Sequence, residues 1–373
     1  MKYLISGGGT GGHIFPALSI ANAVKAADPE ADILFVGAID RMEMEKVPQA
    51  GYKIIGLPVA GFNRKNVLKN FKVLLKLYNS IRLAKKILKE FNPDIAVGVG
   101  GYASGPILKA AQKKGIPTML QEQNSYAGVT NKLLAQKANA IFVAYDGMES
   151  FFPAEKIIKT GNPIRKNIKD SEKIDKRKAK EELGFDPDKL LIVAVGGSLG
   201  ARTINESILA SIPVFMKNDI NLLWQTGKQY AKTYLPEAEK QSKSGIKAVP
   251  FIDRMDLVYA AADLIISRAG AATISEIQYL GVPSILIPSP NVAEDHQRKN
   301  AEALVKEGAA QMLLDKDAEE KLPGMIRLLI KDPEKLIKLG ENARKMGLGN
   351  ADNLIAAKVI ETAKQNRKES NEG

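Results

Sequence analysis

Residues 2–27 read KYLISGGGTGGHIFPALSIANAVKAA, and residues 190–211 read LLIVAVGGSLGARTINESILAS. In each, a short apolar run (Lys2–Ser6 and Leu190–Val195) meets a glycine turn (Gly7–Gly12 and Gly196–Gly200). Each turn then opens a stretch of helical spacing, Ile14–Ala27 and Ala201–Ser211. A strand that is apolar on both faces needs cover on both sides, which marks a parallel sheet between layers of helix. The unit of strand, glycine loop and helix occurs twice, so two similar α/β domains are expected.

Working outward, the first half offers strands at Ile33–Gly37, Ile95–Val99, Thr118–Gln121 and Ala140–Ala144, with loops and a basic helix after the second strand. The second half offers Asn221–Gln225, Ile246–Pro250, Leu264–Ser267 and Ser284–Ile287. Between the halves, at Lys159–Lys176, Gly161, Asn162 and Pro163 precede a polar, charge-rich stretch. The expected domains are 1–162 and 163–344, with a helix at about 345–365 packing back on the first and a polar tail after Thr362 that frays. A length of 373 residues suits two such domains. Right-handed crossovers put each loop that follows a strand on one edge of its sheet. Two such edges facing across a cleft suit a substrate with two ends.

Cysteine is absent, which removes disulfides, thiolate metal sites and cysteine nucleophiles. No apolar run reaches the roughly 20 residues needed to span a bilayer, so any membrane role is peripheral. The net charge of +12 admits nucleic acid, anionic lipid or an anionic small substrate as partner. From Arg64 to Lys89 nine basic residues occur without an acidic one, and Leu68, Phe71, Leu75 and Tyr78 are among the apolar residues between them. That pattern is an amphipathic helix with a wide apolar stripe. It suits a crossover helix with lysines on its wet face, and equally a surface that meets anionic lipid. Nucleic acid is not expected, because no recognition-helix, zinc-finger or aromatic-basic sheet pattern is present.

Glycines at 7, 9 and 12 satisfy a dinucleotide pattern, since glycine lets the backbone turn sharply toward an anion at a helix start. A nicotinamide cofactor would need an acid at the end of the second strand, and that strand ends in Gly37-Ala38, with Asp40 poorly placed. The ATP loop's Lys-Ser/Thr ending is also missing, and no cofactor is expected. Gly196–Arg202 has the same physics with the hydroxyl of Ser198 added. A third element, Ser267–Glu276, follows an apolar strand with small residues, and Glu276 in the ensuing helix could accept both hydroxyls of a ribose. The two histidines, His13 and His296, lie in different halves, and no metal site is expected. Charge on a leaving diphosphate would then be met by backbone N–H groups, helix ends and Arg165 or Arg202.

Taken in order, these motifs resemble the MurG family of bacterial UDP-N-acetylglucosamine:N-acetylmuramyl-(pentapeptide)-pyrophosphoryl-undecaprenol N-acetylglucosamine transferases. The resemblance runs through Gly8–Pro16, Gly100–Pro106, Glu122–Asn124, Gly161–Arg165, Gly196–Arg202, Phe251–Asp253, Arg268–Glu276 and His296-Gln297. It implies an α/β GT-B fold, two Rossmann-like domains with the acceptor on the first and UDP-GlcNAc on the second. It implies that Ile252 meets uracil through its backbone and that Glu276 holds the ribose. Ser198, Arg165 and the helix start at Ala271, Ala272 and Thr273 would surround the diphosphate. Gln297, with His296 beside it, would read the sugar. Thr10, Gly11, Gly12 and Asn124 would complete the site, with Tyr102 and Ser104 on the acceptor side.

The implied reaction is inverting transfer of N-acetylglucosamine to an undecaprenyl-diphosphate-linked acceptor, at the cytoplasmic face of the cell membrane. The chain departs from the family pattern at Gln121, Leu199 and His296. For the general base His13 leads, since an imidazole titrates near pH 6.5, and Glu122 is its rival. A UDP-GlcNAc 2-epimerase and a non-catalytic nucleotide-binding module are the competing functions.

Overall fold

The computed structural model describes residues 1–59, 70–197, 199–241 and 245–372; for 70–72, 74, 293 and 370–372 the description is of backbone alone. The chain divides into two compact units, Met1–Arg165 with Gly349–Gly373, and Lys166–Leu348.

The first unit is built on seven strands: β1 (Lys2–Ser6), β2 (Asp32–Ala38), β3 (Lys53–Leu57), β4 (Ile95–Gly98), β5 (Thr118–Glu122), β6 (Ala140–Val143) and β7 (Ile157–Lys159). They pair in the order β3-β2-β1-β4-β5-β6-β7, parallel throughout. Among the described residues five α-helices lie between them: α1 (Gly11–Ala27), α2 (Glu43–Gln49), α3 (Asn70–Phe91), α4 (Ser104–Lys113) and α5 (Val129–Leu134). The two-residue period of β1 divides the core. Tyr3 and Ile5 face one layer, which holds Ile14, Ile20 and Val24 of α1. Leu4 faces the other, with Leu88 of α3 and Ile107 and Leu108 of α4. Each fully buried aliphatic side chain in these layers contributes about 1.5–3 kcal/mol.

The second unit opens with α6 (Lys166–Asp170) and α7 (Lys176–Glu182) and repeats the plan. Its strands are β8 (Leu191–Val195), β9 (Asn221–Gln225), β10 (Ile246–Val249), β11 (Leu264–Ser267), β12 (Ser284–Leu286) and β13 (Gln311–Met312), in the order β10-β9-β8-β11-β12-β13. Its helices are α8 (Arg202–Lys217), α9 (Ala231–Glu239), α10 (Met255–Ala261), α11 (Ala271–Leu280), α12 (His296–Lys306), α13 (Ala318–Ile330) and α14 (Pro333–Met346). Ile192 and Ala194 of β8 pack with Ile204, Ile208 and Phe215 of α8 and with Leu322 and Ile326 of α13. The last helix, α15 (Ala351–Glu372), belongs to the first unit, where Ile355, Ala356, Val359 and Ala363 join the layer under Tyr3 and α1.

Three expectations need correction. The segment after the second strand, expected as loops, holds α2 and β3. The tail after Thr362 is helical to Glu372, and Asn366 Nδ2 donates to the Asp94 carbonyl at 3.0 Å. The first unit extends three residues past the expected boundary, because Ile164 is buried and the Arg165 guanidinium lies 4.9 Å from the centre of the Phe15 ring. The chain re-enters it at Gly349. Of the basic segment, residues 64–69 lie outside the described residues, as does Ser198.

Candidate active site

Every strand of each sheet runs the same way, so the Gly7–Gly12 loop, the Gly100–Ser104 turn and Glu122 share the C-terminal edge of the first sheet. His13 stands in the first turn of α1. Its Nδ1 lies 3.1 Å from the Thr10 hydroxyl, and a Cβ on Gly100 would stand 3.0 Å from its Nε2. Gly100, at φ +92°, therefore gives the ring its seat. Gln123 Nε2 donates to the Val99 carbonyl at 2.8 Å, which ties the end of β5 to the end of β4.

Beneath the glycine loop lies a residue that the sequence reading passes over. Glu43, the first residue of α2, is wholly buried, and its two carboxylate oxygens accept the N–H groups of Gly9 and Ala38, both at 2.9 Å. Gly9's N–H, which a pyrophosphate at this loop would need, is already taken by an anion. Glu43 and Val47, one helical turn apart, are the buried residues of α2.

Glu122 ends β5 and is 2% exposed. Four donors converge on its carboxylate: Asn124 N–H and Nδ2 at 3.2 Å each, Gly128 N–H at 3.0 Å and Asn131 Nδ2 at 2.9 Å. Such a carboxylate folds the loop that presents Asn124 and has little capacity left for a substrate hydroxyl. Gln121, one of the positions where the chain departs from the family pattern, donates to Asn162 Oδ1 at 2.8 Å inside the protein. Asn162 Nδ2 in turn donates to the Gln123 carbonyl at 3.0 Å, holding the Gly161–Arg165 segment under the end of β5. Tyr102 is 60% exposed. Ser104, expected beside it on the acceptor side, is wholly buried and directs its hydroxyl at the carbonyls of Ser6 and Gly100, 2.9 Å from each. It shapes the turn and does not face a ligand. Burial pushes the Tyr145 hydroxyl, just beyond β6, well above the usual tyrosine range, so it offers no base at neutral pH.

In the second unit the loop Gly196–Gly200 is tied to the end of β9. Gln225 Nε2 donates to the Gly197 carbonyl, and Gln225 Oε1 accepts the N–H of Ile252, both at 2.9 Å. A Cβ on Gly200 would stand 2.3 Å from the Thr226 carbonyl, so only glycine fits there. Arg202 pairs with Glu206 at 2.7 Å. Ile252 was expected to offer its backbone to uracil, and its N–H is here engaged by Gln225.

Helix α11 starts at Ala271 after Gly270, with no side-chain cap and no acidic residue in its first turn. Its first N–H groups and the positive end of the helix suit a phosphate. Glu276, on the same helix, is 6% exposed and accepts the Tyr259 hydroxyl at 2.8 Å, which aims the carboxylate. Arg268 donates to the Ile287 and Pro288 carbonyls and to Asp315, bracing the loops after β12 and β13. Gln297 Oε1 accepts the Ser289 N–H at 2.9 Å, so its NH2 is the outward donor end. Glu294 and Asp295, just before half-buried His296, both hold left-handed backbone, at φ 56° and 52°. Such strain gathers at binding sites. Among the described residues no group of three or more His, Asp or Glu gathers to hold a metal ion.

The sequence of each unit matches a family. Residues 3–143 match the glycosyltransferase family 28 N-terminal domain, and residues 191–356 its C-terminal domain. A protein of Parabacteroides distasonis, named UDP-N-acetylglucosamine--N-acetylmuramyl-(pentapeptide) pyrophosphoryl-undecaprenol N-acetylglucosamine transferase, is 53% identical over 359 residues, 96% of this chain and 97% of that one. The crystal structure of Acinetobacter baumannii MurG is similar with a TM-score of 0.75 and 26% identity, covering 96% of this chain and 99% of that one. A Neisseria meningitidis UDP-GlcNAc 2-epimerase, bound to UDP-GlcNAc, has a TM-score of 0.68 at 17% identity, covering 97% and 100%. That second likeness is one of fold.

Proposed function

The chain belongs to glycosyltransferase family 28, and from that premise we propose that it carries N-acetylglucosamine from UDP-GlcNAc to the 4-hydroxyl of the MurNAc unit of undecaprenyl-diphosphate-MurNAc-pentapeptide, with inversion. The observation that carries this reading is the 53% identity to the P. distasonis transferase over 96% of the chain. Its GT-B fold, two Rossmann-like halves with parallel sheets, agrees. The donor is read by the second unit. Glu276, aimed by Tyr259, accepts the ribose hydroxyls, the Ile252 carbonyl accepts the uracil N3–H, and Gln297 donates to the sugar. The start of α11 at Ala271, Ala272 and Thr273, the loop around Ser198 and Arg165 meet the diphosphate, and His296 stands beside Gln297 at the sugar.

In the displacement the acceptor oxygen bonds to the anomeric carbon as the bond to the β-phosphate oxygen breaks, and UDP leaves with the bonding pair. The hydroxyl proton goes to His13. In the tautomer whose Nδ1–H donates to Thr10 Oγ1, Nε2 is the accepting nitrogen. Glu122 serves by holding Asn124, since its own oxygens already accept four donors. Backbone N–H groups and the α11 dipole stabilise the departing charge without a metal.

The acceptor's lipid places the reaction at a membrane, at its cytoplasmic face, where the sugar nucleotide is. Among the described residues no helix is long and apolar enough to cross a bilayer. Contact is through the first unit. Leu75 and Tyr78 on α3 and Val129 and Leu133 on α5 are exposed, and both helices pack on α4. Lys76, Arg82, Lys85 and Lys132 lie on the same two helices. Apolar insertion with lysines against phosphate is the chemistry of a peripheral helix on anionic lipid.

The test is to supply labelled UDP-GlcNAc with the lipid-linked MurNAc-pentapeptide acceptor. One disaccharide-lipid per UDP released is expected, at a rate unaffected by EDTA. Epimerised UDP-sugar from donor alone, with no disaccharide, would overturn the reading in favour of an epimerase. Binding without turnover would leave only a nucleotide-binding module.

A further inference from the structure

Gln225 ends β9, is 3% exposed, and spends both ends of its amide on backbone. Nε2 donates to the Gly197 carbonyl and Oε1 accepts from Ile252 N–H, so the amide has one orientation. Turning it over would set oxygen against carbonyl and NH2 against N–H. The post it stands on is equally constrained. Thr226 N–H donates to the Val249 carbonyl at 3.0 Å, and the Thr226 carbonyl accepts Asn205 Nδ2 at 2.9 Å. Asn205 Oδ1 accepts the buried Trp224 Nε1 at 2.9 Å. Gly200 and Gly227 meet with no room for a Cβ on either. The end of β9 is therefore a fixed point between the loop that follows β8 and the segment that follows β10.

Those two segments meet opposite ends of one ligand if the donor is a uridine diphosphate sugar, and the inference rests on that reading. We propose that Gln225 is a positioning residue that couples uracil recognition at Ile252 to the shape of the diphosphate loop at Gly196–Gly200. Gln225 Nε2 holds the Gly197 carbonyl, and with it one fixed point of that loop. The same carbonyl also accepts the Gly200 N–H at 3.0 Å, which closes the turn around it. Uracil seated on the Ile252 backbone steadies that segment, and through one side chain steadies the phosphate-facing loop. A ligand with the wrong base loses affinity at the base and again at the phosphates, because the loop is less well ordered when they arrive. Selection for the uridine nucleotide is thus written partly into diphosphate affinity.

Uridine, which has no phosphate, tests the coupling directly. Hydrogen exchange is followed by mass spectrometry in peptides covering Phe251–Arg254 and Gly196–Arg202, with and without saturating uridine. In the unaltered protein both segments are expected to slow. In Gln225→Met, which cannot hydrogen-bond, and in Gln225→Glu, which keeps only the acceptor to Ile252, Phe251–Arg254 slows and Gly196–Arg202 does not. In parallel, Gln225→Met should lose about tenfold more affinity for UDP than for uridine by calorimetry, the scale of one buried hydrogen bond. The unaltered protein alone can overturn the coupling, by slowing at Phe251–Arg254 with no change at Gly196–Arg202. Variants whose glycine loop still slows with uridine overturn it as well. If the unaltered protein responds to neither uridine nor UDP, the uridine-nucleotide reading fails instead.

Discussion

Glu43→Gln is the most informative single change in the first unit. The carboxylate is wholly buried, and its described partners are two backbone amides, Gly9 and Ala38, each at 2.9 Å. A hydrogen bond to a charged group contributes about 1.5–3 kcal/mol. Glutamine keeps one acceptor and turns an NH2 toward the other amide, so one such bond is lost and a buried N–H is orphaned at about 1–3 kcal/mol. Against this, removing a buried charge returns several kcal/mol of desolvation. The two nearly cancel in global stability, and Tm should move by no more than about 5 °C. They do not cancel in the loop, because the Gly9 N–H has lost its anchor. A shift on the order of 1 Å in groups that position a reactant costs about 10²-fold in rate. We therefore expect kcat to fall about 10²-fold with saturating acceptor, while the KM for UDP-GlcNAc stays within about threefold, since the residues proposed to hold the donor, Ile252, Glu276 and Gln297, lie in the other unit. Gly8→Ala supplies a check, because a Cβ there would stand 2.1 Å from Glu43 Oε1. It should mimic Glu43→Gln, and the double variant should be little worse than either, as expected of changes that break one contact. The reasoning fails if Glu43→Gln retains kcat within about threefold. It fails too if UDP affinity drops as far as kcat, which would mark a general loss of structure.

Other changes separate the remaining roles. His13→Ala should lower kcat by about 10²–10⁴ at saturating acceptor, whereas Glu122→Gln should show chiefly as a lower Tm, because it breaks a buried carboxylate with four donors; steady-state kinetics and thermal melts on both variants distinguish base from loop anchor. Tyr259→Phe removes the bond that aims Glu276, and the KM for UDP-GlcNAc should rise about tenfold with kcat unchanged. A matched rise for a 2′-deoxyuridine donor would show that the ribose 2′-hydroxyl is not what Glu276 reads. Leu133→Glu and Tyr78→Glu each replace an exposed apolar side chain, 73% and 67% accessible, whose burial in lipid is worth about 1.5–3 kcal/mol. Sedimentation with vesicles containing anionic lipid should show binding about tenfold weaker or more, with turnover of a water-soluble acceptor analogue preserved.

The parts of the fold that are legible in the sequence are the parts whose environment is uniform. β1, β9 and β11 are buried end to end or nearly so, and their apolar runs give the same bounds in sequence and structure. The strands that the sequence does not announce, β3, β7 and β13, all lie at sheet edges. Ile54 and Ile55 of β3 are only half-buried, β7 has three residues and β13 two, so none carries a full apolar run. The tail misleads for the opposite reason. Its charged residues suggest fraying, but helicity there depends on one buried stripe, Ile355, Ala356, Val359 and Ala363, packed against another part of the chain. Amphipathic packing decides the matter, and composition averages it away.

The two glycine loops show the same limit at the level of chemistry. As sequence, Gly7–His13 and Gly196–Arg202 carry equal warrant as phosphate cradles: a strand before, a helix after, glycines between. What separates them lies elsewhere in the chain. Gly9 meets an acid 34 positions on, and Gly197 an amide 28 positions on. Glu43 puts a negative charge under the first loop and consumes the N–H that would welcome another. Gln225 is neutral, binds a carbonyl of the second loop, and thereby braces the turn while adding no charge against a diphosphate. The first loop is suited to hold His13 beside a neutral hydroxyl, and the second to hold an anion. Anion binding is thus a property of a loop together with the group that lies beneath it, and a glycine pattern acquires its meaning only when that second residue is known.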